Sequence, residues 1–225
     1  MLAPYTGKPN LLVSYFYLFL SCFYCWVCYE AMQFLVGLGV FPYWFLWGVY
    51  AVTQGQIFYS FFVLGHECGH GAFGATKLQN DIPGFILHSL LLVPYFSWKF
   101  SHSKHHSNCN AILSGDSHCP GTKKGVGPLL RLHRTWDDGF VMFKLIYTAL
   151  FGWPLYLIFN TTGGRVNATD MKTPLTKGWF NKSHFLPSSE VMPDRIGGKV
   201  ILSTIGCVIS LICILTFMED PFFWY

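Results

Sequence analysis

The sequence predicts an all-α, polytopic membrane protein, and three observations carry that prediction. Of its 225 residues, 52 % are hydrophobic and 19 % aromatic, but only 12 % are charged. Soluble domains carry about 25 % charged residues, so lipid is the expected solvent for much of the surface. Several apolar runs also approach the ~20 residues that cross a bilayer as a helix. Finally, the basic residues mostly flank these runs. None of the 15 Lys and Arg lies between positions 9 and 76, and none follows Lys199. Nucleic-acid binding needs a clustered basic face with aromatics interleaved; the chain has none, so nucleic acid is excluded as a partner.

In chain order, residues 11–29 form the first crossing, and residues 31–42 are expected as a short turn ending in Phe41-Pro42. Residues 43–65 cross back, with Tyr43 and Trp44 as interfacial aromatics and Gln54 and Gln56 turned toward protein. Residues 82–96 are apolar but short and hold two prolines and His88, which fits an interfacial or re-entrant piece. Residues 97–138 are polar, with a Gly/Pro-rich stretch from Pro120 to Pro128. Residues 140–159 are apolar, interrupted by Lys144 and Trp153-Pro154, and residues 200–217 form the third crossing.

The loops 97–138 and 160–199 each carry six basic residues. The positive-inside rule places both in the cytosol, which puts 140–159 in the interface. Three glycosylation sequons, at Asn160, Asn167 and Asn181, would suit a lumenal loop instead; the charge bias decides for the cytosol. Cys22, Cys25, Cys28, Cys207 and Cys213 lie in apolar runs and read as buried free thiols. The first apolar run lacks the basic flank and small-residue cleavage site of a signal peptide.

Two short strings hold five of the nine histidines: His66-Glu67-Cys68-Gly69-His70 and His102-Ser103-Lys104-His105-His106. On a helix, His66 and His70 share one face, as do His102, His105 and His106. Imidazole is the commonest protein metal ligand, so the strings read as two halves of one metal site. More than four imidazoles exceed one tetrahedral zinc and fit two ions. Ligand type alone leaves iron, copper, nickel and zinc open.

The first string also satisfies His-Glu-x-x-His, in which two histidines bind zinc and the glutamate is general base. A membrane zinc metalloprotease is therefore a rival reading. Gly69 weakens the helix that motif needs, the second string supplies more imidazoles than such a site uses, and no later acidic motif offers the third ligand. Glu67 and Asp116 are the carboxylates nearest the strings and candidates to orient ligand histidines. His88 reads as a hydrogen-bonded structural histidine, and His118, His133 and His184 as solvated loop residues. Tyr43, Trp44, Tyr95 and Trp98 read as interface and packing aromatics.

The stretches Gly65 to Phe73 (GHECGHGAF) and His88 to Asn108 (HSLLLVPYFSWKFSHSKHHSN) resemble the membrane fatty-acyl desaturases. The microsomal Δ12 (oleate) type is the nearest likeness and the ω-3 type the next. Gly152 to Asn160 (GWPLYLIFN) resembles the segment after the second histidine box in that group. The resemblance implies one membrane desaturase domain over residues 1–225, with a cytosolic site of two non-haem irons. His66, His70, His102, His105 and His106 would be its ligands. It further implies a phospholipid-bound acyl chain and O2 as substrates, cytochrome b5 as electron donor, and the endoplasmic reticulum as location. Related hydroxylases and conjugases share these boxes. The family's third box, His-x-x-His-His, does not occur after His106. The expectation is therefore a domain incomplete at its C-terminus, or a chain inactive by itself.

Overall fold

The computed structural model describes residues 8–108, 138–164, 166, 173–176, 178 and 180–217. Asp116, His118, His133, the stretch from Pro120 to Pro128 and the Asn167 sequon lie outside the described residues. Among the described residues there are six α-helices: α1 (Leu11–Leu38), α2 (Tyr43–His70), α3 (Lys77–Leu90), α4 (Tyr95–Ser107), α5 (Asp138–Phe159) and α6 (Gly197–Phe217). Two compact units emerge, residues 1–95 with 205–225, and residues 96–204.

In the first unit, Asn10 caps α1 by accepting from the Leu12 and Val13 amides at 3.1 and 3.3 Å. The helix runs to Leu38 and ends on Gly39 in the left-handed region, φ 63°. The expected turn over 31–42 thus shrinks to its last few residues. Helix α2 packs back along α1. Met32, Leu46 and Tyr50 form the shared core. Two polar links join the same helices: Gln54 Nε2 donates to Cys25 Sγ at 2.7 Å, and Ser60 Oγ to Ser21 Oγ at 2.9 Å. Gln54 is buried as expected, but Gln56 is exposed, because two residues along a helix carry it to the opposite side.

The single segment expected over 82–96 is two helices. A capping box starts α3 early, with Thr76 Oγ1 accepting from the Gln79 amide and the Gln79 side chain accepting from the Thr76 amide. Pro83 sits inside α3. A turn through Leu92, φ 57°, closes α3, and α4 opens at Tyr95 directly after Pro94.

Two glycines set the α2–α3 contact. A Cβ on Gly65 would run into the His88 ring, and one on Gly84 would stand 2.5 Å from Tyr95 Cε2 and 2.7 Å from Cys68 Cβ. His88 is fully buried there, with Nε2 3.3 Å from the Phe62 carbonyl and its ring stacked on Phe62 at 5.1 Å. This bears out its reading as a structural histidine.

The second unit takes in α4 beyond Tyr95, α5, the segment 160–199 and the first turns of α6. Its core includes Val191, Met192 and Val200 with Phe100 against them. The Phe96 amide donates to Ser203 Oγ at 2.9 Å, and Lys199 Nζ lies 5.3 Å over the Phe96 ring. The described part of 160–199 is folded. Glu190 accepts from the Thr176 amide and hydroxyl at 2.8 and 2.6 Å, and the Glu190 amide donates to the Asn181 carbonyl.

Among the described residues, three helical segments are long and apolar enough to cross a membrane: Leu11–Leu38, Val141–Phe159 and Asp194–Thr216. At most 17 % of the residues in their most apolar windows are buried, as lipid-facing helices require. Helix α2 is also 28 residues long but less apolar.

Two outcomes follow from this packing. Gly84→Ala forces Tyr95 and Cys68 apart, and overpacking of this kind costs about 1–3 kcal/mol. Thermal unfolding in detergent should show that loss, whereas Gly48→Ala, which meets nothing within 4 Å, should not. The second outcome concerns His184, fully buried in the second unit, whose pKa burial lowers from 6.5 to about 4. The unfolded chain therefore takes up a proton below pH 6.5 that the folded chain refuses until about pH 4. Stability is full above the unfolded value and declines as pH falls through this window. From pH 7 to pH 5 the wild type should lose about 2 kcal/mol more than His184→Phe, measured by denaturant titration at the two pH values.

Candidate metal centre

The first histidine string is the last turn of α2. The helix continues through Gly69 to His70, so this glycine does not break it. Gly71, φ 76°, then stops it, with the Gly71 amide on the Cys68 carbonyl at 3.1 Å and the Ala72 amide on the Glu67 carbonyl at 2.9 Å. This is a Schellman end, which only a residue tolerant of positive φ supports cheaply. Spacing of four places His66 and His70 on one face, with Nε2 atoms 3.3 Å apart and ring centroids 4.5 Å apart. Cys68, two residues from each, points to the other side and is fully buried.

Glu67 Oε1 lies 3.0 Å from His66 Nδ1. That bond holds the proton on Nδ1, so Nε2 presents its lone pair. Glu67 therefore sits where a ligand-orienting carboxylate should. Asp116, the other candidate, lies outside the described residues.

The second string occupies the last turns of α4. His102 and His106 repeat the same arrangement, with Nε2 atoms 3.1 Å apart and rings 4.5 Å apart. Trp98, one turn earlier, stacks on His102 at 4.6 Å and 14° between planes. His105 lies one step round the helix, its ring 6.0 Å from His102 and 5.5 Å from His106.

Each pair fits a shared cation. Two imidazole nitrogens bound at about 2.1 Å and subtending roughly a right angle stand about 3 Å apart. Both observed separations match that spacing. The donors are all nitrogen, suited to iron, copper, nickel or zinc, and each pair can hold an ion between its Nε2 atoms.

The aromatics divide as expected of packing and interface residues. Tyr95 and Trp98 are buried, and the Tyr95 hydroxyl donates to Asp81 Oδ1 at 3.3 Å. Tyr43 and Trp44 are exposed. His184 overturns its solvated reading. It is fully buried, its backbone amide and Nδ1 lie 2.8 and 3.2 Å from the Leu157 carbonyl, and its ring is 4.7 Å from that of Tyr156. The signal in the sequence is compositional: Phe180, Phe185, Leu186, Val191 and Met192 flank His184 within an otherwise polar segment.

Comparison with known proteins agrees with this geometry. Residues 41–182 match the family model for fatty acid desaturases. A Delta(12) fatty acid desaturase of Calendula officinalis is 39 % identical over 160 residues, 71 % of this chain and 39 % of that protein. The oleoyl-12-hydroxylase of Ricinus communis is 38 % identical over 149 residues, 61 % of this chain and 36 % of that protein. A Delta(12) acyl-lipid conjugase of Impatiens balsamina is 32 % identical over 212 residues, 92 % of this chain and 51 % of that protein. The chain thus spans about half, or less, of the length of these relatives. No solved structure matches it. With a family match over most of the chain and both histidine strings inside it, the chain belongs to the fatty acid desaturase family.

Proposed function

We propose that this chain carries the first two histidine boxes of a membrane acyl-lipid desaturase, which introduces a double bond into an oleoyl chain at the Δ12 position. The observation that carries the reading is the paired Nε2 geometry of His66 with His70 and of His102 with His106, 3.3 and 3.1 Å. His66, His70, His102, His105 and His106 would hold two non-haem irons together with ligands from a further box. Iron, with O2 and two electrons, supplies the oxidant for C–H cleavage, and the protein supplies position. Glu67 keeps His66 in the tautomer that binds through Nε2, and Trp98 fixes the ring plane of His102.

The substrate is a phospholipid-bound acyl chain and the electron donor cytochrome b5. The domain sits in the endoplasmic reticulum membrane with the boxes and both basic loops on the cytosolic face. The related outcomes are hydroxylation and conjugation, since relatives named for those reactions match almost as well as the desaturase. The zinc-protease reading has less support, because Glu67 is engaged with His66 Nδ1 and the family match covers the string.

Purified protein extended through a His-x-x-His-His box should hold about two irons per chain, and His→Ala at any of the five positions should lower that content and abolish product. A variant with full iron and activity removes its residue from the site. Residues 1–225 alone, expressed in yeast with oleoyl lipid and cytochrome b5, should make no linoleate, and the extended protein should make it. Linoleate from the shorter chain overturns the need for a further box. For topology, cysteines placed at positions 120 and 175 should label from the same, cytosolic side, and the sequon asparagines should stay unglycosylated. Sugar on Asn160 or Asn181 reverses the arrangement.

A further inference from the structure

The second histidine helix rests on a buried polar relay that the metal ligands do not include. Trp98, which stacks on His102, is 3 % exposed. Its carbonyl accepts from Ser101 Oγ at 3.0 Å. Ser101 Oγ in turn accepts from the Tyr156 hydroxyl on α5 at 3.2 Å. Tyr156 is itself 3 % exposed, and its ring lies against His184 at 4.7 Å.

His184 grips the residue after Tyr156 twice, through its backbone amide and through Nδ1, both on the Leu157 carbonyl. That carbonyl belongs to the last turn of α5, where intrahelical donors run out. The Nδ1 bond fixes the proton there and leaves Nε2 an acceptor. Nε2 is buried and has no protein partner among the described residues. The ring lines a cavity of about 20 Å³ whose polar lining comes from Ser101, Lys104, Tyr156 and Asn160 and whose apolar lining includes Val191. A cavity of about 10–15 Å³ admits one water, which would donate to Nε2.

Stability alone does not call for a histidine here. A phenylalanine would fill the same space without desolvating two nitrogens. What the imidazole adds is a directed bond that fixes the end of α5 and the seat of Tyr156.

We propose that His184 and Tyr156 are positioning residues for the second histidine box, acting through Ser101 and Trp98 on the orientation of His102. The inference rests on the reading of His102 as a metal ligand.

The test is anaerobic Co2+ titration of the chain in detergent, following affinity and the ligand-field absorption spectrum, with thermal unfolding measured in parallel. Tyr156→Phe removes only the hydroxyl, and His184→Phe removes the Leu157 bond while keeping a ring. Each should weaken Co2+ binding about tenfold, as loss of an outer partner does, and should alter the spectrum of the folded protein. The double variant should be no worse than either single one, because both act along one path. His184→Asn, whose amide can replace the Nδ1 donor, should restore affinity and spectrum.

A merely structural role would move the unfolding temperature and leave affinity and spectrum as in the wild type; that result overturns the proposal. Should His184→Phe fail to fold, Tyr156→Phe decides alone. His102→Ala separates the two levels. If it leaves the number of Co2+ ions bound per chain as in the wild type, the metal reading of His102 falls and this inference with it. If it lowers that number while Tyr156→Phe changes nothing, only the positioning role is lost.

Discussion

The close approach of α2 and α3 is the constraint on which the first histidine pair depends. Gly65 admits the His88 ring and Gly84 admits Cys68 and Tyr95, at distances where any Cβ would collide. Cys68 lies between His66 and His70 in sequence, so the turn that carries them is clamped through its opposite side. A helix end frays unless something holds it. Here the Gly71 Schellman end satisfies its carbonyls, and the buried Cys68 stops its rotation. The direction of the two imidazoles is thereby set from the buried side of the turn that carries them.

The same economy governs the packing of α1 and α2. In lipid there is little hydrophobic drive for one apolar helix to meet another, so packing of small side chains and hydrogen bonds between polar ones hold helices together. Helices α1 and α2 follow that rule with the Gln54–Cys25 and Ser60–Ser21 bonds. Their large apolar side chains, such as Phe19 and Trp44, face outward. Exposed aromatics here mark the solvent for which the surface is built.

What the sequence disclosed and what it hid divide along the range of the forces involved. The histidine pairs were legible because spacing of four on a helix is a local relation, and His66, His70, His102 and His106 pair up as spacing requires. The helical class was legible from composition. The break between α3 and α4 was hidden, because an apolar count reads Ile82 to Phe96 as one piece, and only the Leu92 turn divides it. Gln56 was misplaced for want of a helix phase. His184 was misread because nothing near it in sequence announces Tyr156 and Leu157, which approach it from α5, more than 25 residues away.

Identity of the reaction outcome lies beyond the boxes for a physical reason. A desaturase and a hydroxylase match this chain at 39 and 38 % identity. Whatever this chain shares equally with both cannot separate their chemistries. Metal ligands fix where an oxidant forms, but the product depends on which C–H bonds stand within reach and whether a second hydrogen follows the first. Placement errors of about 1 Å change rates roughly a hundredfold, so side chains along the acyl path discriminate where ligands do not. The contacts of Tyr156, Ser101 and Trp98 proposed to orient His102 act on the same scale. The support around the second box is therefore a place where close relatives can part in product while keeping every histidine.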